Sequence, residues 1–274
     1  MLPVRLSVAK LLNDINPGRN SYQEVLQLET ELRAAYKQLY QSIQGLRHGS
    51  VSSFDSQFLD FIVRRYFLSL HSPWFGQSLR NAAFAHSRRI VIDTATRIWH
   101  MVSLEGDLAL LSKCGAGFFR SIPIQSCLAI AIEIRAQLEE EESLGPRTPR
   151  PDLLATLQAS RDWSLARVEA GSTNIKGYMW VSGLLAQIDA ISQNLSGDEI
   201  HKAFANSVEE ALHRCISVLQ GISQKERVLD QTMQVDDGWE LPDMQSSVAD
   251  VESFFTFAPG WLVANPEPDM TIWQ

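Results

Sequence analysis

The chain has 274 residues, of which 24 are Lys or Arg and 32 are Asp or Glu; its formal net charge is −8, and its length allows one large buried core. Three widely spaced cysteines, Cys114, Cys127 and Cys215, disfavour a disulfide framework and predict an intracellular protein in which each is a small core residue. The longest apolar run, residues 128–132, is far shorter than the roughly 20 residues of a membrane span, so we expect no membrane association.

Helical periodicity runs through most of residues 1–235 and predicts an all-α fold, a single domain of about eight to nine helices. In chain order the predicted helices cover residues 3–14, 21–47, 54–71, 86–103, 106–114, 120–142, 151–170, 174–194 and 197–225. Ser21 and Ser196, each with a Glu three residues later, have the form of a capping box, and Ser53 is the predicted cap of helix 54–71. We expect no β-hairpin, because no alternating stretch is bounded by a two-residue glycine turn.

The connection between the third and fourth predicted helices contains a proline and two aromatic residues. We expect helix 54–71 to end at Leu70 and His71 because Pro73 follows, which leaves a loop over residues 72–76. The next helix is predicted to open near the run His86-Ser87-Arg88-Arg89. Two basic doublets, residues 64–65 and 88–89, therefore lie on either side of this corner.

All of the net charge lies in a C-terminal tail, residues 236–274. Residues 1–235 hold 24 basic and 24 acidic side chains, whereas the tail holds eight acids and no Lys or Arg. Large aromatic residues alternate with those acids, and four prolines exclude a long helix. This composition is typical of a disordered activation segment, in which charge keeps the rings solvated until a partner binds them. The alternative is an irregular lid whose aromatic rings fold back onto the helical body.

Motifs for metal or cofactor chemistry are incomplete in this sequence. The acidic run at residues 236–240 lies in the proline-containing tail, away from any predicted helix rim on which magnesium ligands would converge. Glu210 and His213 have the spacing of a di-iron half-site, but the second half-site is missing. The sequence has no phosphate-binding loop, no nucleophile elbow and no zinc-protease motif. We therefore expect no metal and no cofactor.

Residues 61–99 resemble the C-terminal part of the regulatory middle homology domain of fungal zinc-cluster transcription factors. In that family a Leu-His-x-Pro-aromatic corner is followed by an aromatic residue, two further residues and Ser-Arg-Arg/Lys; here these are residues 70–74 and 84–89. Similar stretches begin at Leu2, Gly117 and Thr173, so the resemblance spans roughly residues 2–220. It implies a helical regulatory domain, residues 1–235, followed by the tail.

The family's DNA reader has no counterpart in this sequence. A zinc cluster needs six closely spaced cysteines and a basic flank, and the chain has three cysteines far apart. We interpret the doublets Arg64-Arg65 and Arg88-Arg89 as ion-pair partners for Asp60 and Asp93 rather than as phosphate contacts. We therefore expect no autonomous nucleic-acid binding.

Three functional hypotheses follow. In the first, the chain is a regulatory domain that controls metabolic genes through a coactivator or a partner transcription factor, with a small-molecule ligand as a further input; it is then nuclear. In the second, the scaffold is a cytoplasmic enzyme of secondary metabolism, a metal-free cyclase, pericyclase or isomerase that positions a terpene or polyketide. In the third, it is a protein-interaction adaptor without a ligand. The sequence favours the first and leaves the oligomeric state open.

The candidate site residues lie near the corner and near the stretch at Thr173. His71 and His100 are candidate proton donors near neutral pH, and Arg88 is a candidate partner for a carboxylate or carbonyl group. The proposed ligand contacts are aromatic side chains that could pack against an apolar skeleton: Trp74, Trp99, Tyr178 and Trp180. For each, the alternative is a hydrogen-bonded core residue.

Overall fold

A computed structural model of the chain describes residues 1–13, 21–45, 52–103, 105–115, 117–140 and 148–232, with side chains as far as residue 225. Within these residues the backbone forms α-helices and one 3₁₀ helix, Ala82–Phe84, and no strand, which confirms the predicted all-α class. The helices are α1 Leu2–Leu12, α2 Tyr22–Gly45, α3 Ser53–Ser78, α4 Ala85–Ser103, α5 Asp107–Cys114, α6 Phe118–Glu140, α7 Pro151–Glu169, α8 Lys176–Ser192 and α9 Gly197–Thr232.

The chain divides into two compact units, Met1–Ser223 and Gln224–Gln274. The first contains α1 to α8 and most of α9; of the second, the structure describes only the end of α9. The sequence-based boundary at residue 235 and the predicted tail, residues 236–274, lie outside the described residues. So do the acidic run at residues 236–240 and the final aromatic residues.

The predicted loop at the corner is wrong, because α3 continues through Pro73 to Ser78. Pro73 lacks a backbone N–H, yet the helix persists because Leu70, His71 and Phe75 are all buried by packing on both sides of it. The Ser72 hydroxyl also donates to the Leu68 carbonyl at 2.6 Å. The real break follows Ser78, and α4 begins at Ala85, close to the predicted start.

Capping side chains explain where three of the helices begin. Ser52, not the predicted Ser53, caps α3: its hydroxyl accepts from the Asp55 N–H at 3.1 Å, while the Asp55 carboxylate accepts from the Ser52 N–H at 3.1 Å. The predicted box before α9 is confirmed, with Glu199 accepting from the Ser196 N–H at 2.9 Å. At α2 the Ser21 hydroxyl accepts from the Glu24 N–H at 3.2 Å.

Helices α4 and α6 form the centre of the described fold. α4 packs against α3, α5, α6 and α7, and α6 packs against α4, α5, α7 and α8. Apolar clusters attach α1 and α2 to this centre, one of them formed by Leu32 of α2, Val63 and Phe67 of α3 and Ile90 of α4. Cys127 and Cys215 are buried as predicted, but Cys114 is exposed because it ends the short helix α5.

Gly183 of α8 lies close to side chains of α9. A Cβ atom at this position would lie 2.6 Å from Phe204 Cε2 and 2.8 Å from Val208 Cγ2. The Phe204 ring is also in contact with Trp180, one turn earlier on α8, at a centroid distance of 5.8 Å. The missing side chain of Gly183 is therefore what lets the two helices pack.

We expect Gly183→Ala to lower the free energy of unfolding by about 1–3 kcal/mol, since the added methyl group forces Phe204 and Val208 to move. Gly221→Ala is the matched control, because nothing lies within 4 Å of a Cβ atom there; relief of the helical glycine should stabilise that variant by about 0.5–1 kcal/mol. Urea denaturation followed by circular dichroism measures both. Equal and small effects of the two substitutions would show that α8 and α9 are not closely packed at Gly183.

Candidate functional site: buried carboxylates between the helices

A buried carboxylate on α2 joins α2 to α3 and α4. Glu29 is only 4% exposed. Its Oε2 atom accepts from Nε2 of His86 at 2.6 Å and lies 3.4 Å from Nε2 of His71. The other oxygen, Oε1, accepts from Nε of Arg33 at 2.7 Å. Side chains from three helices therefore converge on one carboxylate.

The Glu29 carboxyl is strongly biased towards its ionised form. Burial is the largest influence and raises its pKa, because desolvation disfavours the charge. The neighbouring His71, His86 and Arg33 side chains lower the pKa, and together they outweigh the effect of burial. The result is a pKa of about 2, below the ordinary value of 4.5, so Glu29 is an anion throughout the physiological range.

His71 is fully buried and continues the network towards α2. Its Nδ1 atom lies 2.9 Å from the Ser87 hydroxyl, and Ser87 donates to the Tyr22 hydroxyl at 3.1 Å. Its Nε2 atom makes no hydrogen bond. The Tyr22 ring packs against Trp74 and Phe84 at centroid distances of 5.1 and 4.9 Å. Two predicted residues, His71 and Trp74, thus lie around the same tyrosine.

A second buried carboxylate, Glu133, joins α6 to α4 through Arg88. Nε of Arg88 donates to Glu133 at 2.7 Å, and its terminal nitrogens donate to Glu140 at 2.7 and 3.0 Å. The bond to Glu140 is the largest influence on the pKa of Arg88 and raises it; burial opposes this, and Glu133 raises it further. The predicted ion-pair role of Arg88 holds, but its partners are on α6 rather than Asp93.

Arg64, in the basic doublet on α3, forms the predicted ion pair with Asp60. Its Nε atom donates to Asp60 at 3.0 Å, one turn earlier on α3. The Tyr36 hydroxyl donates to the other oxygen of Asp60 at 2.7 Å and so ties α2 to α3. Burial, followed by this hydrogen bond, raises the pKa of Tyr36 to about 12.

A third polar group surrounds the C-terminal end of α5. Arg167 of α7 is buried and donates to the carbonyl groups of Ser112 and Gly115, a favourable place for a cation because helix carbonyls there lack partners. Burial and, next, the charge of Arg120 lower its pKa. Its guanidinium lies 5.2 Å from the centre of the Trp163 ring, which meets the predicted Trp99 edge to face at 5.4 Å.

The remaining predicted residues occupy different environments. Trp99 is 2% exposed, and its Nε1 atom makes no hydrogen bond. His100 is exposed on α4, and Tyr178 and Trp180 are half-buried near the start of α8. His71 and Trp74 lie together with Tyr22 and Ser87, whereas Trp99 lies with Trp163 and Arg167. The assignment of these residues to a ligand-binding or catalytic site therefore stays a prediction.

Sequence reasoning missed Glu29, His86 and Glu133. A signal for Glu29 exists: it shares the buried stripe of α2 with Val25, Leu28 and Leu32, so an acid occupies a core position. Such a residue needs a buried partner. Its partner His86 is 57 positions away along the chain, and local spacing does not identify it.

The described residues show neither a metal cluster nor a helix that could cross a membrane by itself. They contain no group of three or more His, Cys, Asp or Glu side chains arranged to hold a metal ion. Among them, no single helix is long and apolar enough to cross a membrane. Helices α5 and α6, which are bent by 89° relative to each other, reach the necessary length and apolar content only when taken as a pair.

We expect Glu29→Gln to lower the free energy of unfolding at pH 7 by about 3 kcal/mol, because His71, His86 and Arg33 lose the buried anion that they contact. The folded-state pKa of Glu29 is lowered, so its contribution is present above pH 4.5 and is lost as the pH falls through about 2. The difference from the wild type should therefore shrink on acidification. Urea denaturation at several pH values measures it.

Glu31→Gln provides the matched control on the same helix, since Glu31 is exposed and its hydrogen bond comes from Gln27 at the surface. Its effect should stay within about 0.5 kcal/mol at every pH. A Glu29 variant as stable as the Glu31 variant would contradict the role of the buried carboxylate.

Comparison with curated proteins identifies relatives along most of the chain. Transcription factor opdR of Penicillium oxalicum is 27% identical over 252 residues, which cover 80% of this chain and 31% of that protein. Transcription factor lepE of Aspergillus flavus is 28% identical over 267 residues, 88% of this chain and 32% of its own length. Aspyridones cluster regulator apdR of Emericella nidulans is 26% identical over 234 residues, 79% of this chain and 31% of its own length.

No family model matches the chain, and no solved structure matches it. The chain spans about a third of the length of the curated relatives it matches. The resemblance predicted from residues 61–99 is confirmed by these relatives. The chain is a homologue of fungal transcription factors, matched along most of its own length and along about a third of theirs.

Proposed function

We propose that this chain is the regulatory part of a fungal transcription factor that controls metabolic genes and acts in the nucleus through protein contacts. The observation that carries the proposal is its similarity, over 79% to 88% of its residues, to proteins named as transcription factors or as a cluster regulator. One of those names refers to the genes for a fungal metabolite, the aspyridones. DNA recognition by the chain itself forms no part of the proposal.

The geometry of the buried polar residues supports a regulatory scaffold. Two of the candidates for chemistry already have partners within the protein: His71 bonds to Ser87, and Arg88 is held by Glu133 and Glu140. A reacting molecule would have to compete with these two carboxylates for the Arg88 guanidinium. The alternative, a metal-free enzyme of secondary metabolism, stays a prediction that no contact in the described residues favours.

We further propose that a hydrophobic metabolite binds at the start of α8. Tyr178 and Trp180 are half-buried there, so each ring offers apolar surface to a ligand while its base is fixed by the fold. Trp99 is sealed against Trp163, and we assign it to the supporting core. Trp74, half-buried against Tyr22 and Phe84, is the second candidate contact.

The activating role of the tail is tested by fusing the chain to a heterologous DNA-binding domain and measuring a reporter. The full chain should activate the reporter, and replacing the tail aromatics by Ser should return it to background, because a partner's groove binds the rings. The residues to replace are Trp239, Phe254, Phe255, Phe257, Trp261 and Trp273.

Replacing the four tail prolines by Ala, at positions 242, 259, 266 and 268, is the control and should leave activation intact. Immunoblotting should show equal amounts of all fusions. Full activation by the aromatic-to-Ser variant would contradict the proposed coactivator contact.

The ligand is tested by native mass spectrometry of the chain purified from a fungal host. We expect a copurifying apolar molecule with the wild type and its loss in Trp180→Ala, since the indole supplies much of the contact area. Tyr40→Ala, which removes an exposed ring on α2, should retain it. Equal occupancy in the two variants would place the ligand elsewhere, and an empty wild-type chain would leave regulation to protein contacts alone.

A further inference from the structure

Two arginine side chains, one on α6 and one on α7, lie near the end of α5. Arg167 of α7 is only 6% exposed, and its guanidinium donates to the backbone carbonyl groups of Ser112 and Gly115. Arg120, in the first turn of α6, is half-buried. Among the residues that the structure describes, neither guanidinium has a carboxylate partner. A buried cation without an anionic partner is costly, so the surroundings of this pair require an explanation.

The contacts between α6 and α7 show how the two helices are aligned. Cys127 Sγ of α6 and Ser160 Oγ of α7 lie 3.1 Å apart. A Cβ atom at Gly177 of α8 would lie 3.4 Å from Ser164 Oγ and 3.7 Å from Ile124 Cδ1, so these two side chains are also close together. They are one turn after Ser160 and one turn before Cys127. Helices α6 and α7 therefore run antiparallel to each other.

One further turn in the same register brings Arg120 opposite Arg167. The electrostatics agree with this placement, because burial, followed by the charge of Arg120, lowers the pKa of Arg167. Carbonyl groups at a helix end supply only about half an elementary negative charge. The two guanidinium groups carry two positive charges, since arginine stays protonated in proteins. The described fold therefore leaves most of this positive charge without a counter-charge.

Aromatic surface adjoins the arginine pair. Phe118 and Phe119 directly precede Arg120, and both are half-buried, with their ring centroids 4.3 Å apart. A Cβ atom at Gly115, whose carbonyl binds Arg167, would lie 3.3 Å from Phe119 Cβ. Three phenylalanine rings of α3 extend this aromatic group: Phe54, Phe58 and Phe61. A molecule that reaches Arg120 from solvent therefore meets positive charge and apolar rings side by side.

We propose that Arg120 and Arg167 bind the carboxylate of an organic acid whose apolar body lies on the rings of Phe118 and Phe119. A carboxylate accepts charge-assisted hydrogen bonds from guanidinium groups and supplies the missing negative charge. Arg167 can keep both carbonyl bonds, because a guanidinium has five N–H donors. Arg120 is only half-buried, so a ligand can reach it from solvent. This inference is independent of the proposed function.

The test is isothermal titration calorimetry of the full chain with two probe acids, decanoate and 2-naphthoate, and with the neutral amide of each. We expect at least one acid to bind the wild type with a dissociation constant below about 1 mM. Its amide should bind about tenfold more weakly or worse, since it lacks the charge that the arginines recognise. Arg120→Gln should weaken binding of the acid by about 10- to 100-fold and leave binding of the amide unchanged.

Arg97→Gln is the matched control, because it removes the same charge from an exposed position on α4. Its affinity for the acid should stay within about twofold of the wild type, since salt screens distant exposed charges. Three results would each overturn the proposal. They are equal affinity of Arg120→Gln and the wild type for the acid, equal affinity of the wild type for acid and amide, and no binding of either acid.

Thermal unfolding without any ligand gives a second readout, which also shows that the variant folds. Arg120→Gln removes a like charge from beside Arg167, so its thermal midpoint should rise by about 1–3 °C. High salt should reduce this difference, because it screens the repulsion between the two guanidinium groups. A lower midpoint for Arg120→Gln than for the wild type would show that Arg120 stabilises the fold through contacts of its own, and it would refute the uncompensated pair.

Discussion

The described fold depends on the cost of burying two carboxylates, Glu29 and Glu133, which requires donors at fixed positions on neighbouring helices. One donor to each carboxylate comes from the first turn of α4: His86 bonds to Glu29 on α2, and Arg88 bonds to Glu133 on α6. Apolar clusters tolerate small shifts of one helix along another. A buried carboxylate does not tolerate such a shift, because it loses stability when one of its donors moves away. These bonds therefore determine where α2 and α6 lie relative to α4.

This constraint gives a physical meaning to the motif that carries the family resemblance. The Leu-His pair at the corner supplies His71, and the Ser-Arg pair supplies Ser87 and Arg88. In the fold His71 bonds to Ser87, and Arg88 binds α6. The motif therefore specifies contacts between α3, α4 and α6, and its residues can recur among regulators with different ligands or targets. A family signature of this kind is evidence of a shared scaffold, not of a shared substrate.

The helices could be predicted from the sequence because apolar residues recur along them with the helical period. The end of α3 could not be predicted. Pro73 favours a helix end, but burial of Phe75 keeps the chain helical, and that burial is known only from the assembled fold. The polar contacts between helices could be predicted only in part. The position of Glu29 within an apolar stripe signals a buried acid, but its partners lie on α3 and α4 and depend on tertiary packing.

Two kinds of contact hold α2 in place, and they respond differently to conditions. The cluster of Leu32, Val63, Phe67 and Ile90 is apolar, and its stability is insensitive to protons. The contacts of Glu29 depend on the charges of its neighbours. Loss of the Glu29 contacts would leave α2 held by its apolar contacts and by the bond between Tyr36 and Asp60. A ligand or partner that favours α2 without the Glu29 contacts could then shift its position with a few kcal/mol of differential binding. A scaffold built this way can be biased by small inputs, as the proposed regulatory role would require.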